Sequence, residues 1–381
     1  MATVSLCMIV KNEEAFLRGC LESAAPAVDE MVVVDTGSTD ATMEIAVAAG
    51  AVVLTDTLDG DFAKARNRAL DAATSDWILV LDADERLPEA AAASVRRLAS
   101  EAGAGRHAFG VTRYNFFPNG GFYTDPVVRL FRRDPGIRYH GRVAETVAPS
   151  LAESGRGWAP SDVVLNHNGF SRPIAVRDAK LRMYLGLLQG RLDTEGDNPF
   201  LLMQIALSVR RLGRFEESLD LAQRAVAASD DPELAYLHGH VLRSAGRDRD
   251  ALAAFTRAAE GSPEDGVAAN MVGVLQLTLG DEAAAEQTLS EARSAAPHLD
   301  HITLNLGLLR QAQGRWADAV ALFREVIGRN PGFLIDEWAG RLEADPHRNA
   351  SNETIYGYAG LPFHLAYCLA MAEGRGKELH Q

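Results

Sequence analysis

The chain has 381 residues, 47% of them apolar and 24% charged, which is material enough for two domains or one large one. A net charge of −14 disfavours duplex nucleic acid and anionic lipid as partners, because both need a basic surface. Three cysteines, Cys7, Cys20 and Cys368, make neither a zinc-like pair nor a disulfide framework, so a cytoplasmic setting is expected, with Cys7 buried as a small hydrophobe.

Val4–Val10 reads as a first strand; it is stopped by Lys11, Asn12, Glu13 and Glu14 and is too short to span a bilayer. No other stretch approaches transmembrane length. Glu13–Ala25 has helical spacing, Met31–Val34 is a second strand, and Ser38 or Thr39 is placed to cap a helix running to Ala49. Ala51–Leu54 is a third strand, Asp61–Ala73 a helix and Trp77–Leu81 a fourth strand. The alternation predicts a parallel sheet with helices on both faces. A helix near Glu89–Glu101 follows, then strands at His107–Phe117, Val127–Arg132 and Val163–Leu165, and a helix from Ile174 to Leu192.

Beyond a boundary at Glu195–Pro199 the chain repeats itself. Gly213, Gly246, Gly280 and Gly314 fall 33, 34 and 34 residues apart, and Gly239, Gly273 and Gly307 each lie seven residues before the last three. Pro263, Pro297 and Pro331 close the units. A 34-residue period with small residues inside and proline at the end resembles the tetratricopeptide repeat. Each unit would be a pair of antiparallel helices, and stacked pairs make a curved solenoid whose concave face is suited to binding. The tail after Gly332, with Phe363, Leu365, Ala366, Leu369 and Met371, is expected to cap the last repeat.

The segment from Trp77 to Glu85 carries the chemistry. An apolar run of this kind is a strand buried on both faces, and it ends in Asp82, Ala83, Asp84 and Glu85. Residues two apart in an extended chain share a side, so the DXD pair Asp82 and Asp84 is expected to project together from the carboxyl edge, where open α/β sheets bind ligands. Two close carboxylates repel unless a cation lies between them, and oxygen ligands suit Mg2+ or Mn2+, which also bind phosphate oxygens.

SLCMIVKNEE, DEMVVVDTGSTDAT, DFAKARNRAL and DWILVLDADE, in that order, resemble the family-two glycosyltransferases of GT-A fold. The match is closer to a subgroup with tetratricopeptide repeats, which includes peptide S-glycosyltransferases and sugar transferases of the lipopolysaccharide core. The resemblance implies an α/β, Rossmann-like nucleotide-sugar domain at 1–195, an all-α repeat solenoid at 196–335 and capping helices at 336–381. It also implies an inverting, metal-dependent transferase that uses a nucleotide-diphosphate sugar, a UDP-sugar, and a peptide or protein side chain (Cys or Ser/Thr) held by the repeats. A lipopolysaccharide or other glycan acceptor, and a non-catalytic repeat scaffold that still binds the donor, are the alternatives. The repeats could equally form a homodimer. Carried over by motif, Val10, Glu13, Asp35, Arg66 and Asp82 would bind the nucleotide, Asp84 would ligate metal together with Asp82, and His167 would return to it. Glu145 is the candidate general base, and Asp125 a weaker one. Relatives carry His-Glu where this chain has Ala144 and Glu145, so the histidine's role has no bearer at that position.

Overall fold

The computed structural model of the protein describes residues 2–57, 60–116, 122–142, 145–169, 174–263, 266–330, 333 and 361–373. These fall into two compact units. Residues up to Asn115 together with Thr124–Gly169 form the first, and the helices from residue 174 onward belong to the second.

The first unit is built on an eight-stranded sheet. Its strands are β1 (Val4–Val10), β2 (Glu30–Asp35), β3 (Val52–Thr55), β4 (Trp77–Val80), β5 (Glu85–Arg86), β6 (Ala108–Phe116), β7 (Phe122–Arg132) and β8 (Trp158–His167). Their order is β3-β2-β1-β4-β7-β6-β8-β5. The first half is parallel, as the alternating pattern predicts: β2 and β4 flank β1, and β3 follows β2. The second half departs from an all-parallel sheet. β7 runs antiparallel to β4, and β5 antiparallel to β8, while β6 and β8 are parallel. The two-residue β5 and the short helix α5 (Ala148–Glu153) are too brief to leave a periodic signal.

β1 and β4 are buried along almost their whole length, the mark of strands covered on both faces. Four helices accompany them: α1 (Leu17–Ala24), α2 (Thr42–Ala48), α3 (Phe62–Ala72) and α4 (Glu89–Glu101). α3 lays Ala63, Ala69 and Leu70 against Cys7, Val32, Val34, Val80 and Phe131. Asp61 caps it, accepting from the Lys64 amide at 3.0 Å. Cys7 is buried and its thiol is pushed up to about 12, by burial first and then by Glu30, so it acts as a small apolar group. Ser38 and Thr39 do not cap α2. Asp40 accepts from the Thr42 amide instead, and Ser38 Oγ accepts from the Asn12 amide across the loop.

In the second unit, helices α6 (Ile174–Glu195), α7 (Pro199–Arg211), α8 (Phe215–Ala228), α9 (Pro232–Ser244) and α10 (Asp248–Gly261) lead the series. They are followed by α11 (Val267–Thr278), α12 (Glu282–Ala295), α13 (Asp300–Ala312), α14 (Trp316–Arg329) and α15 (Leu361–Ala372). α6 groups with the repeats because Leu185 and Leu188 share one apolar cluster with Leu201 and Leu202 of α7. Each of the glycines at 213, 246, 280 and 314 turns the chain between two helices with φ from +70° to +91°. Gly307 serves another purpose: a Cβ there would stand 2.5 Å from the Phe323 ring, so its absence lets α13 and α14 close on each other. α15 rests on α14, with Tyr367 edge-on to Trp316 at 5.7 Å. Of the expected capping region, residues 334–360 and 374–381 and the Phe363 side chain lie outside the described residues. No described helix is long and apolar enough to cross a membrane.

Candidate active site

Because β1, β2 and β4 are parallel, their carboxyl ends open on one edge of the sheet. Two groups of sequence-predicted residues meet there. The first is a loop cluster. Val10 pairs with Asp35, and the Val10 carbonyl accepts from the Thr36 amide at 2.9 Å and from its hydroxyl at 3.0 Å. The Asp35 carboxylate accepts from the Gly37 and Ser38 amides, each at 3.0 Å, and so holds the turn that follows β2. Asn12 is left-handed (φ 55°), and its side-chain oxygen accepts from the Thr39 amide at 2.8 Å. The Glu13 amide donates to Thr42 Oγ1 at 2.7 Å. These bonds tie the loop after β1 to the loop after β2.

The second group is a network of buried ions. The chain turns sharply after β4: the Glu85 amide donates to the Asp82 carbonyl, and the Asp82 amide to Glu85 Oε2. That turn breaks the two-residue alternation expected of an extended segment, so Asp82 and Asp84 are engaged differently. Asp82 Oδ1 accepts from Arg66 Nη2 at 2.7 Å, and Oδ2 from Arg129 Nη2 at 2.7 Å. Burial works against the Asp82 charge, but Arg129 and Arg66 outweigh it and hold the carboxyl well below its usual range. Arg66 also donates from Nε to Glu145 at 2.7 Å, and Arg129 to the fully buried Glu85 at 2.9 Å. Arg66 thus joins Asp82 to Glu145, and its guanidinium lies 5.3 Å from the centre of the Tyr139 ring. Ala144 lies outside the described residues, and His140 is an exposed residue whose backbone pairs with Thr146.

Asp84 faces elsewhere. Its Oδ1 lies 3.5 Å from His167 Nε2, and the Asp84 carbonyl accepts from the Asn168 amide at 2.9 Å. Burial pulls the His167 pKa down more than Asp84 raises it, which favours the neutral imidazole, the form that ligates metals. Gly169 lets the backbone approach both side chains closely: a Cβ there would stand 2.5 Å from Nε2 and 2.7 Å from Asp84 Oδ2. A carboxylate beside an imidazole matches the ligand chemistry of a divalent cation such as Mn2+. Among the described residues no group of three or more His, Cys, Asp or Glu could hold an ion alone, so Asp84 and His167 would need oxygens from the bound substrate.

Reasoning from sequence missed Arg113, Arg129 and Asn115. Arg129 left a signal, a charge inside the apolar strand run VVRLF, where it must be paired. Arg113 and Asn115 sit two apart on β6, a spacing that puts both on one face, but nothing local says what that face meets.

Residues 5–145 match the model of glycosyl transferase family 2, and residues 236–300 and 304–349 match a tetratricopeptide repeat model. The chain is 39% identical over 192 residues to a tetratricopeptide repeat-containing protein of Synechococcus elongatus, covering 45% of this chain and 43% of that one. It is 26% identical over 233 residues to the prophage-derived glycosyltransferase SunS of Bacillus subtilis, covering 59% of this chain and 53% of SunS. An uncharacterized glycosyltransferase of Rickettsia typhi is 37% identical over 89 residues, 23% of this chain and 30% of that one. The chain therefore spans about half the length, or less, of the curated relatives it matches. Among solved structures, MamA is similar at a TM-score of 0.36 and 15% identity, over 42% of this chain and 96% of MamA. The chain thus carries a glycosyl transferase family 2 domain followed by tetratricopeptide repeats.

Proposed function

We propose that the protein moves a sugar from a nucleotide-diphosphate sugar, a UDP-sugar by preference, to a peptide or protein side chain, with inversion at the anomeric carbon. The observation that carries this reading is the meeting of Asp84 and His167 beside the Arg66–Asp82–Glu145 network, at the carboxyl edge of β1, β2 and β4; Arg66, Asp82, Asp84 and Glu145 lie inside the segment that matches the family, and His167 beyond it.

In this reading the loop cluster of Val10, Glu13 and Asp35 receives the nucleoside, and Arg66 and Arg129 fix the Asp82 carboxylate at the rim of the diphosphate site. Asp84 and His167 hold Mg2+ or Mn2+, which when bound would supply a Lewis acid for charge on the leaving diphosphate. Glu145 takes the acceptor's proton. A thiol ionises more readily than a hydroxyl and so asks less of that base. The repeats supply the surface that presents the acceptor, as solenoid concavities do elsewhere.

The test pairs binding with turnover. Wild-type protein should be stabilised against heat by UDP with Mn2+, and should transfer sugar from a labelled donor. Asp84→Ala should fold normally yet lose transfer by about a thousandfold, roughly 4 kcal/mol of barrier. Transfer at the wild-type rate by Asp84→Ala would overturn the assignment. Binding of UDP without transfer to any peptide or glycan would make the chain a donor-binding scaffold instead.

A further inference from the structure

We propose that Asn115, braced by Asp125, is a positioning residue that holds His167 as its Nδ1–H tautomer and so turns the Nε2 lone pair toward Asp84 as a divalent-cation ligand. The inference deepens the transferase reading above and rests on it.

Sheet register creates the arrangement. Asn115 of β6 lies opposite His167 of β8, and His167 lies opposite Glu85 of β5. The side chains then bond across the strands. His167 Nδ1 is 2.7 Å from Asn115 Oδ1, and Asn115 Nδ2 donates to Asp125 Oδ1 at 2.7 Å. Asp125 is in turn gripped by Arg113, at 3.0 Å from Nε and 2.5 Å from Nη2. Arg113 is also 3.4 Å from Glu85, which Arg129 joins to Asp82. A continuous chain of polar contacts therefore runs from Asp82 to His167.

The direction of each bond follows from chemistry. Asp125 is an ionised carboxylate: burial opposes its charge, but Arg113 and Asn115 lower its pKa. A carboxylate only accepts, so the group of Asn115 that faces it must be the amide NH2. The amide oxygen is then left facing His167, and an oxygen there requires a proton on Nδ1. In the neutral ring the other nitrogen, Nε2, carries the lone pair. That nitrogen is the one beside Asp84, at the point where Gly169 lacks a side chain that would crowd both. A partner on the far nitrogen that fixes the tautomer is how proteins orient a histidine toward a metal.

Two measurements on the whole 381-residue chain test this, one of them independent of metal. Long-range proton–nitrogen spectra of 15N-histidine-labelled protein, with His167 assigned by its loss in His167→Gln, should show the Nδ1–H form in wild type. Asn115→Leu should show Nε2–H or a mixture. Mn2+ titration followed by electron paramagnetic resonance should give binding about 10- to 100-fold weaker in Asn115→Leu. The swap Asn115→Asp with Asp125→Asn keeps the charge and restores an acceptor to Nδ1, so it should return both tautomer and affinity toward wild type. An Nε2–H His167 in wild type, or a folded swap variant that binds as weakly as Asn115→Leu, would overturn the proposal. A changed tautomer with unchanged Mn2+ affinity would overturn this inference alone. Failure of wild type to bind Mn2+ at all would remove the transferase reading's metal site along with it.

Discussion

The sheet edge and the repeat helices solve opposite problems with the same chain. At the edge, Arg66, Arg113 and Arg129 are held against Asp82, Glu85, Asp125 and Glu145, several of them almost fully enclosed. Such a network recovers in Coulomb attraction roughly what it loses in desolvation, so its product is orientation more than stability. In the repeats the order comes from apolar packing. Phe255, Leu289 and Phe323 each press on a glycine of the preceding helix, and the described helix pairs meet chiefly their sequence neighbours. One region is specified by charges that must all be satisfied together, the other by side chains that must be small.

The contrast predicts how each region breaks. Arg129→Ala removes one of the two arginines that face Asp82 and the nearer of the two that face the wholly buried Glu85, and should cost about 3–5 kcal/mol. Calorimetry would register it as the largest fall in unfolding temperature among these variants, and a loss under 1 kcal/mol would mean the network is loosely coupled. Gly307→Ala should cost about 1–3 kcal/mol by overpacking against Phe323, while UDP binding stays unchanged. Gly246→Ala should cost about 1 kcal/mol, because only the left-handed backbone at φ +72° is strained and no neighbour is met.

The smallest and most conditional effect is one of pH, and it breaks the simple contrast because it places a charge in the repeats. Asp300 is buried, and burial raises its carboxyl to about 7 despite Arg329 at 2.8 Å. Between its ordinary value of 3.8 and 7 the folded state binds more protons than the unfolded one. Its contribution is therefore present at acid pH and lost as pH rises through 7. His240 and His301, held neutral by burial, act in the opposite sense and lose stability as pH falls below the usual histidine range. Denaturant titrations of Asp300→Asn against wild type isolate the aspartate. The variant should gain stability relative to wild type from pH 5 to pH 8, and a flat difference would show that Arg329 cancels the burial.

Much of the architecture could be read from residue order alone. Strand–helix alternation marks the parallel half of the sheet, because local periodicity reports which faces are buried. The 34-residue glycine phase marks the solenoid, because each repeat meets the same turn geometry. Asp82, Asp84, Arg66, Glu145 and His167 were all legible as residues of interest. Their grouping was not. Spacing suggested that Asp82 and Asp84 act as a pair, whereas the Asp82–Glu85 turn sends one carboxylate to two arginines and the other to His167. Arg113, Asn115 and Asp125 reach the site only through register between β6, β7 and β8, strands far apart in the chain. Sequence by itself determined the two kinds of element and the chemistry available to them, since both follow from local pattern. Only the tertiary structure decided which charge neutralises which and which nitrogen of His167 faces Asp84, because those outcomes depend on long-range pairing that no local window contains.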